Sequence, residues 1–244
     1  MPILDLTQHA IAGSNYGFSG TRIEDLGASE YTLVGIVADV SGSVHCFRPR
    51  MEKCVKAAVK ACRHSPRADN LMLRLSRFSN DVVELHGFRP LSASPLGDYD
   101  KCLPTGGSTA LYDATHNAVS AITRYAKDLS EAGLDANAIV IVITDGGDNV
   151  SSLTAHAVRK AVSDAVSSES IESIRTILVG VNVKQKHVAK SLSDFQKEAG
   201  FDQYIELNSA DESTLARLAE FMSRAIRSQS VALGSGGPSI KLTF

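Results

Sequence analysis

The sequence predicts an α/β fold with a doubly wound, mostly parallel six-stranded sheet, one antiparallel edge strand and helices on both faces. Short apolar runs alternate with amphipathic segments along most of the chain, and this order requires right-handed crossovers between parallel strands. Two runs, Tyr31–Ala38 and Ala138–Ile143, are nearly continuous in apolar and β-branched residues, as expected for strands buried on both faces. Each run stops at an acidic turn.

Length and composition indicate one globular domain. The chain has 244 residues, of which 43% are hydrophobic and 21% charged. The formal net charge is -2 and no dense Lys/Arg run occurs, so nucleic acid is not the expected partner. The N-terminus lacks the basic start and apolar stretch of a signal peptide, and no segment has the length of a membrane span. We therefore expect a cytoplasmic protein without a membrane partner.

We expect three parts along the chain: an N-terminal extension (1–29), the α/β domain (30–228) and a C-terminal tail (229–244). The extension is mixed in composition and Gly/Ser-rich, without a sustained period, so it is predicted to lie over the domain surface or to form a loose arm. The final stretch, Val231–Phe244, contains Gly-Ser-Gly-Gly-Pro and ends in Ser-Ile-Lys-Leu-Thr-Phe. A flexible tail is the preferred interpretation, and a strand added to a sheet edge is the alternative.

The remaining elements follow from periodicity and turn signals. A helix is predicted near Pro49–Cys62, and two strands, Asp69–Phe78 and Asp81–Phe88, flank Ser79-Asn80 as a hairpin. A loop rich in Pro, Ser and Gly covers Arg89–Ser108. The later elements are helices at Thr109–Leu129, Thr154–Ser167, Gln185–Ala199 and Glu212–Arg227, and strands at Ile174–Val181 and Gln203–Leu207.

The four cysteines do not suggest a metal or disulfide site. They form no CxxC pair, and two of them sit eight residues apart on the predicted first helix. Reduced core or surface thiols are the preferred interpretation. The four are Cys46, Cys54, Cys62 and Cys102.

Oxygen-bearing side chains follow the two buried strands and precede the long helix. In sheets of this kind, ligands bind at the carboxyl ends of the strands, where the strand order reverses. Two carboxylates and three hydroxyls from three loops would form a cage suited to magnesium or manganese, with calcium as a third candidate, whereas zinc is poorly suited. Gly42 supplies backbone freedom in the first loop. The predicted ligands are Asp39, Ser41, Ser43, Thr109 and Asp145.

Five ligands that do not all bind at once leave one coordination position open, and a carboxylate from another molecule would complete it. Five other residues are expected at the rim of this position. For two of them, Asp148 and Asn149, ordinary turn chemistry is an equally good interpretation. The expected rim residues are His45, Gly107, Ser108, Asp148 and Asn149.

These segments resemble the von Willebrand factor A (VWA) domain. The resemblance rests on Asp-Val-Ser-Gly-Ser after one strand, Gly-Gly-Ser-Thr-Ala-Leu-Tyr-Asp-Ala before a helix and Thr-Asp-Gly-Gly-Asp-Asn after another strand, and it covers Tyr31–Arg227. It implies a Rossmann-like fold, and it implies that the five predicted ligands form a complete metal-ion-dependent adhesion site. That site would bind an acidic side chain of a protein partner. The segments look most like intracellular bacterial members, which work beside AAA+ ATPases or in stress resistance.

Two other classes of function stay open. In a magnesium-dependent phosphotransfer or hydrolytic enzyme, Asp39 would be the nucleophile. Such sites normally carry a second acid two residues later and a lysine, whereas this chain has Ser41 and no lysine in the three loops, so we expect no catalysis. In a structural or regulatory subunit, the metal would only hold the loops together. The oligomeric state does not follow from the sequence.

Overall fold

The computed structural model describes residues 6–11, 15–237 and 240–244. In this part of the chain, eight strands form one sheet in the order β1-β2-β5-β4-β3-β6-β7-β8. The strands are β1 (Leu6–Ala10), β2 (Gly17–Thr21), β3 (Glu30–Asp39), β4 (Leu71–Phe78), β5 (Val82–Pro90), β6 (Asp135–Thr144), β7 (Ile174–Val181) and β8 (Gln203–Leu207). The α-helices are α1 (Arg48–Arg63), α2 (Leu111–Glu131), α3 (Ala155–Val166), α4 (Lys186–Ala199) and α5 (Glu212–Ser235).

The predicted fold class is confirmed. Strand β3 pairs in parallel with β4 and β6, and the parallel order continues through β7 to β8. Strands β4 and β5 form the predicted antiparallel pair. Helices α2, α3 and α4 cover one face and α1 and α5 the other, so the central strands are buried on both sides, as their apolar sequences require.

The predicted number of six strands is wrong, because the N-terminal extension supplies two more. Strands β1 and β2 form an antiparallel hairpin, and β2 lies beside β5 through the parallel pair Gly20 and Phe88. Strand β5 is therefore not an edge strand. The extension carries few apolar residues in period, so sequence pattern alone did not reveal strands whose burial comes from distant contacts. Residues 1–5 and 12–14 of the extension lie outside the described residues.

A partly buried polar network holds this hairpin to the sheet. Glu84 of β5 accepts hydrogen bonds from the Ser19 backbone N–H at 2.9 Å and from Arg74 Nε at 2.6 Å. The Arg74 guanidinium also donates to Asn117 Oδ1 at 2.8 Å, and the Asn117 amide donates to the Gly17 carbonyl at 3.3 Å. The network therefore connects β2, β4, β5 and α2 through a paired charge.

Close packing also holds β2 in place. The Tyr125 hydroxyl of α2 donates to the Thr21 carbonyl at 2.6 Å. A Cβ at Gly20 would lie 2.6 Å from the Tyr125 ring, which is closer than van der Waals contact allows. Phe18 is buried beside Phe88 and Tyr125. The absence of a side chain at position 20 is thus what lets the strand approach the helix.

The C-terminal part differs from the expected tail. Helix α5 continues across the predicted boundary at 228/229 to Ser235 and ends at Gly236, which has a φ of 62°. Ala232 and Leu233 remain buried, which explains why the helix does not stop earlier. Residues 240–244 are not a strand; Gln203 donates to the Leu242 carbonyl at 3.0 Å, and the Arg217 guanidinium lies 4.8 Å from the centre of the Phe244 ring. Residues 238–239 lie outside the described part.

Two further sequence predictions can be compared with the described residues. All four cysteines are free thiols, and Cys54 and Cys62 are buried on α1. No described helix is long and apolar enough to cross a membrane.

Candidate metal centre

The first predicted ligand, Asp39, ends β3 and is fully buried. Its Oδ1 accepts a hydrogen bond from the Ser41 backbone N–H at 2.7 Å, and its Oδ2 accepts one from the Thr144 hydroxyl at 2.6 Å. After Ser41 the chain turns through a short 3-10 helix, Gly42–Cys46, before α1 begins. The carboxylate is therefore fixed by the end of β6 on one side and by its own loop on the other.

The hydroxyls of the first loop reach the carboxylate that follows β6. Ser43 Oγ donates to Asp145 Oδ1 at 2.7 Å, and Ser41 Oγ lies 3.2 Å from Ser43 Oγ. Each hydroxyl has one hydrogen but two lone pairs, so an oxygen that donates to a carboxylate still has electrons for a cation. Three predicted ligands from two loops thus meet directly, and Asp39 lies at the base of the same loop.

The third loop is held against the other two by backbone contacts. The Gly42 N–H donates to the Gly107 carbonyl at 3.0 Å, and the Gly106 N–H donates to the Val40 carbonyl at 2.8 Å. Buried Thr109 exchanges hydrogen bonds with Asn149: its N–H donates to Asn149 Oδ1 at 2.8 Å and its carbonyl accepts from the Asn149 N–H at 3.0 Å. The three loops predicted to supply ligands therefore pack together.

Gly106 and Gly107 suit this loop because both have positive φ, 156° and 84°. At Gly107, a Cβ would also lie 2.9 Å from the Asn80 side chain. Asn80 Oδ1 accepts from the Ser108 N–H at 2.7 Å, so the turn between β4 and β5 supports the loop from outside. A larger residue at position 107 would push this loop away from the turn that carries Asn80.

The electrostatics of the site favour a cation. Burial raises the pKa of Asp39 to about 6, and the nearby charge of Asp145 contributes in the same direction. Burial also raises the pKa of Asp145. Among the described residues, no Lys, Arg or His side chain forms an ion pair with either carboxylate. Two neighbouring carboxylates without a positive partner are costly when ionised, and a divalent ion would relieve that cost.

The donor set fits a hard divalent ion. Within residues 6–11, 15–237 and 240–244, no group of three or more His, Cys, Asp and Glu side chains is arranged to hold a metal. The predicted set contains two carboxylates and three hydroxyls, all of them oxygen donors. Magnesium and manganese accept such ligands and commonly retain water in the remaining positions.

Two of the predicted rim residues have structural contacts. Asp148 Oδ1 accepts from the Tyr112 N–H at 3.1 Å and from the Ser151 hydroxyl at 2.5 Å, so Asp148 caps the start of α2. Asn149 is hydrogen-bonded to Thr109, as described above. These contacts favour the interpretation of both residues as turn formers. His45 is exposed, and its Nδ1 lies 3.0 Å from the Thr105 hydroxyl across the mouth of the site.

Sequence reasoning missed Thr144. This residue is fully buried, and its single hydroxyl hydrogen has two acceptors: Asp39 Oδ2 at 2.6 Å and the Gly146 carbonyl at 2.8 Å. It therefore connects the two carboxylate loops. The signal that identifies it is position, because Thr144 is the last residue of a buried strand and directly precedes Asp145.

Neither a protein-family model nor a curated protein sequence matches the chain. Several solved structures are similar. The PilB minor pilin from Streptococcus sanguinis is 14% identical with a TM-score of 0.59, over 86% of this chain and 64% of that protein. The pilus adhesin SpaC from Lactobacillus rhamnosus GG is 10% identical with a TM-score of 0.58, over 92% of this chain and 34% of that protein.

A third structure is proximal thread matrix protein 1 from the mussel byssus with a zinc-occupied metal-ion-dependent adhesion site (MIDAS) motif. It is 16% identical with a TM-score of 0.53, over 83% of this chain and 46% of that protein. This chain thus spans between about a third and just under two thirds of the three proteins. The similarity shows a von Willebrand factor A-like α/β fold.

Proposed function

We propose that this chain is a metal-dependent protein-binding module. It coordinates a divalent cation with Asp39, Ser41, Ser43, Thr109 and Asp145, and it binds an acidic side chain of a protein partner at the remaining coordination position. The metal is magnesium or manganese, with calcium as a third candidate. When bound, the ion supplies a positive centre for the incoming carboxylate.

The observation that carries the proposal is the carboxylate pair formed by buried Asp39 and half-buried Asp145. Asp39 is fully buried, its pKa is raised, and its neighbours are hydroxyls, a backbone N–H and a second carboxylate. A site built only to stabilise turns has no use for two acids in this position, whereas a cation site needs both. The similar structures support the same idea, because one carries a metal in a MIDAS motif and another is a pilus adhesin.

The proposed module does not catalyse a reaction. Phosphotransfer sites with an aspartate nucleophile normally carry a second acid two residues later and a lysine that holds the phosphoryl group. Here position 41 is a serine, and residues 39–43, 105–109 and 144–149 contain no lysine.

Metal titration tests the proposal. Chelator-treated wild type, Asp39→Asn and Asp145→Asn are titrated with Mg²⁺, Mn²⁺, Ca²⁺ and Zn²⁺ by calorimetry, with Asp81→Asn as control. Asp81 is an exposed carboxylate in the turn between β4 and β5, outside the ligand set. We expect the two site variants to lose at least about 100-fold in affinity while the control binds like wild type. Circular dichroism checks that each variant folds.

The second step adds a blocked pentapeptide with a single aspartate, followed by NMR with Mg²⁺ or with EDTA. Binding in Mg²⁺ that is lost in EDTA and in Asp39→Asn supports a carboxylate at the metal. Equal metal affinity in wild type and both site variants overturns the ligand assignment, and peptide binding unchanged by EDTA overturns the role of the metal.

A further inference from the structure

The segment between β7 and α4 is a neighbour of the candidate metal centre. Thr144 of β6 pairs in parallel with Gly180 of β7, so the residues after both strands leave the sheet at the same edge. Where the two loops meet, a Cβ at Gly147 would lie 2.7 Å from Ser191 Oγ of α4. The loop that carries Asp145 therefore contacts α4 directly.

This segment and the first residue of α4 carry two uncompensated positive charges. Lys184 and Lys186 are both exposed, and neither forms an ion pair with any residue in the described part of the chain. Lys190, one turn further along α4, is different because its ammonium lies 2.5 Å from Asp194 Oδ2. Asn182 has a φ of 59°, which marks a sharp turn between the strand and the two lysines.

The opposite flank of the site carries charges of both signs. Arg77 is half-buried at the end of β4, Lys101 is exposed in the loop before Thr109, and neither forms an ion pair with described residues. Asp81 is exposed in the turn after β4 and forms no ion pair with described residues. Asp98 and Asp100 are paired with Arg89 and Lys56 at 2.7 and 2.6 Å. Positive and negative charges are thus mixed on this flank, whereas Lys184 and Lys186 are two positive charges with no acid between them, so the net attraction for an anionic partner is greater toward α4.

The charges beside the first loop are less available than the two lysines. Arg50, at the start of α1, is half-buried and donates to the Cys46 carbonyl at 3.1 Å. Arg48 is also half-buried, and its Nε is shielded from solvent. The exposed positive charge next to the Asp145 loop therefore comes from Lys184 and Lys186.

We propose that Lys184 and Lys186 form a basic rim that binds a second carboxylate of the partner. The partner is then an acidic peptide segment with at least two carboxylates, one at the metal and one or more at the basic rim. This inference rests on the proposed function, since it assumes that the first carboxylate is held by the ion. The metal supplies the anchor, and the rim discriminates acidic segments from an isolated aspartate.

The second carboxylate should raise the affinity only modestly, because both lysines are solvent-exposed. Exposed ion pairs contribute little individually and are screened by salt, so two of them improve affinity by about three- to ten-fold at low ionic strength. The gain should shrink in about 0.5 M salt, where the screening distance falls to a few ångströms. Carboxylate–metal contact should be less sensitive to salt, which separates the two contributions.

Blocked peptides test the rim in the presence of Mg²⁺. One peptide has a single aspartate among glycines, and a matched series adds a second aspartate two to four positions before or after the first. Dissociation constants are measured by NMR for wild type, for the double variant Lys184→Gln/Lys186→Gln and for the control Lys160→Gln/Lys197→Gln. The control removes the same charge from exposed positions on α3 and at the far end of α4.

We expect at least one two-aspartate peptide to bind wild type and control about three- to ten-fold more tightly than the one-aspartate peptide. The gain should be absent in Lys184→Gln/Lys186→Gln, while its affinity for the one-aspartate peptide in Mg²⁺ stays close to that of wild type. A gain that persists in this variant, or no gain for any peptide in wild type, overturns the basic rim. Affinities that are unchanged by EDTA overturn the metal step, and no binding by any peptide overturns both.

Discussion

Two acids in this protein, half-buried Glu84 and fully buried Asp39, have opposite surroundings. Glu84, at the hairpin side of the sheet, accepts from the Arg74 guanidinium at 2.6 Å and from Ser19. Asp39, at the centre of the sheet, has hydroxyl and N–H donors and a second acid, Asp145, but no cationic side chain among the described residues. The protein itself neutralises the first acid but not the second, and the proposed cation site rests on this difference.

The largest expected effect comes from breaking the pair at the hairpin. Replacing Arg74 by Met leaves Glu84 without its cation and removes the donor to Asn117, so the free energy of unfolding should fall by about 3 kcal/mol. Urea unfolding at neutral pH measures the change. The control is Arg175→Met, because the pair of Arg175 with Asp202 is partly exposed, and its loss should cost less than about 1 kcal/mol. Equal losses for the two variants contradict the account.

Removing the charge at the candidate metal centre should instead raise the free energy of unfolding of the metal-free protein. The pKa of Asp39 is raised to about 6 in the folded protein. A raised acid pKa means that the fold disfavours the ionised form, so metal-free wild type loses stability as pH rises from about 4 to about 6. Asp39→Asn should therefore be more stable than metal-free wild type at pH 7.5, by about 2–3 kcal/mol.

Asparagine suits this position because its amide can donate to the Thr144 hydroxyl, which can then donate to the Gly146 carbonyl. Urea unfolding in EDTA at pH 4 and pH 7.5 measures the effect, and the difference between the two proteins should nearly vanish at pH 4. A variant that is less stable than wild type at pH 7.5 in EDTA contradicts the interpretation of Asp39 as an uncompensated charge.

Thr144 provides a smaller effect on the same site. Its hydroxyl holds Asp39 Oδ2 at 2.6 Å, and Thr144→Val removes this donor with little change in shape. We expect metal affinity to fall about 10-fold, as is typical when a partner of a metal ligand is lost. Calorimetry with Mg²⁺ measures it. Thr176→Val, on the neighbouring strand β7 and hydrogen-bonded to Asp202, is the control and should leave metal affinity unchanged.

The smallest expected effect is the change in Mg²⁺ affinity per pH unit, which arises because protons compete with the ion for Asp39. Because protonated Asp39 cannot coordinate an ion, Mg²⁺ affinity should fall by up to about ten-fold for each pH unit below about 6 and stay nearly constant above pH 7. Asp145, whose pKa is also raised, acts in the same direction. Titrations at pH 5, 6, 7 and 8 measure the slope. An affinity that does not change between pH 5 and pH 7 contradicts the assignment.

The same comparison explains what could be predicted from sequence. The central strands were predictable because apolar runs such as Ala138–Ile143 have no alternative to burial between two helical layers. The hairpin was not, because Phe18 and Gly20 acquire their positions from Tyr125 and Phe88, which are distant in sequence. Local pattern carries no information about such contacts.

At the site, residue type and strand-end position were enough to predict which loops meet. Asp39, Ser43 and Asp145 were recognisable only as a set: one such residue after a strand is common in turns, whereas oxygen-bearing residues in three segments together predict a site. Thr144 was missed because a threonine that ends a β-branched run looks like an ordinary strand residue. The roles of Asp148 and Asn149 depended on which N–H groups they accept from: Tyr112 in the first turn of α2 for Asp148, and Thr109 just before this helix for Asn149.

The most direct test of the central claim is the stability of wild type and Asp39→Asn with and without Mg²⁺ at pH 7.5. A metal that binds only the folded state stabilises it according to its concentration relative to Kd. In EDTA, wild type should be the less stable of the two proteins. Saturating Mg²⁺ should stabilise wild type but should not stabilise Asp39→Asn. The same Mg²⁺ response in both proteins, or no response of wild type to Mg²⁺, Mn²⁺, Ca²⁺ or Zn²⁺, would contradict the claim that Asp39 and Asp145 are kept for a cation.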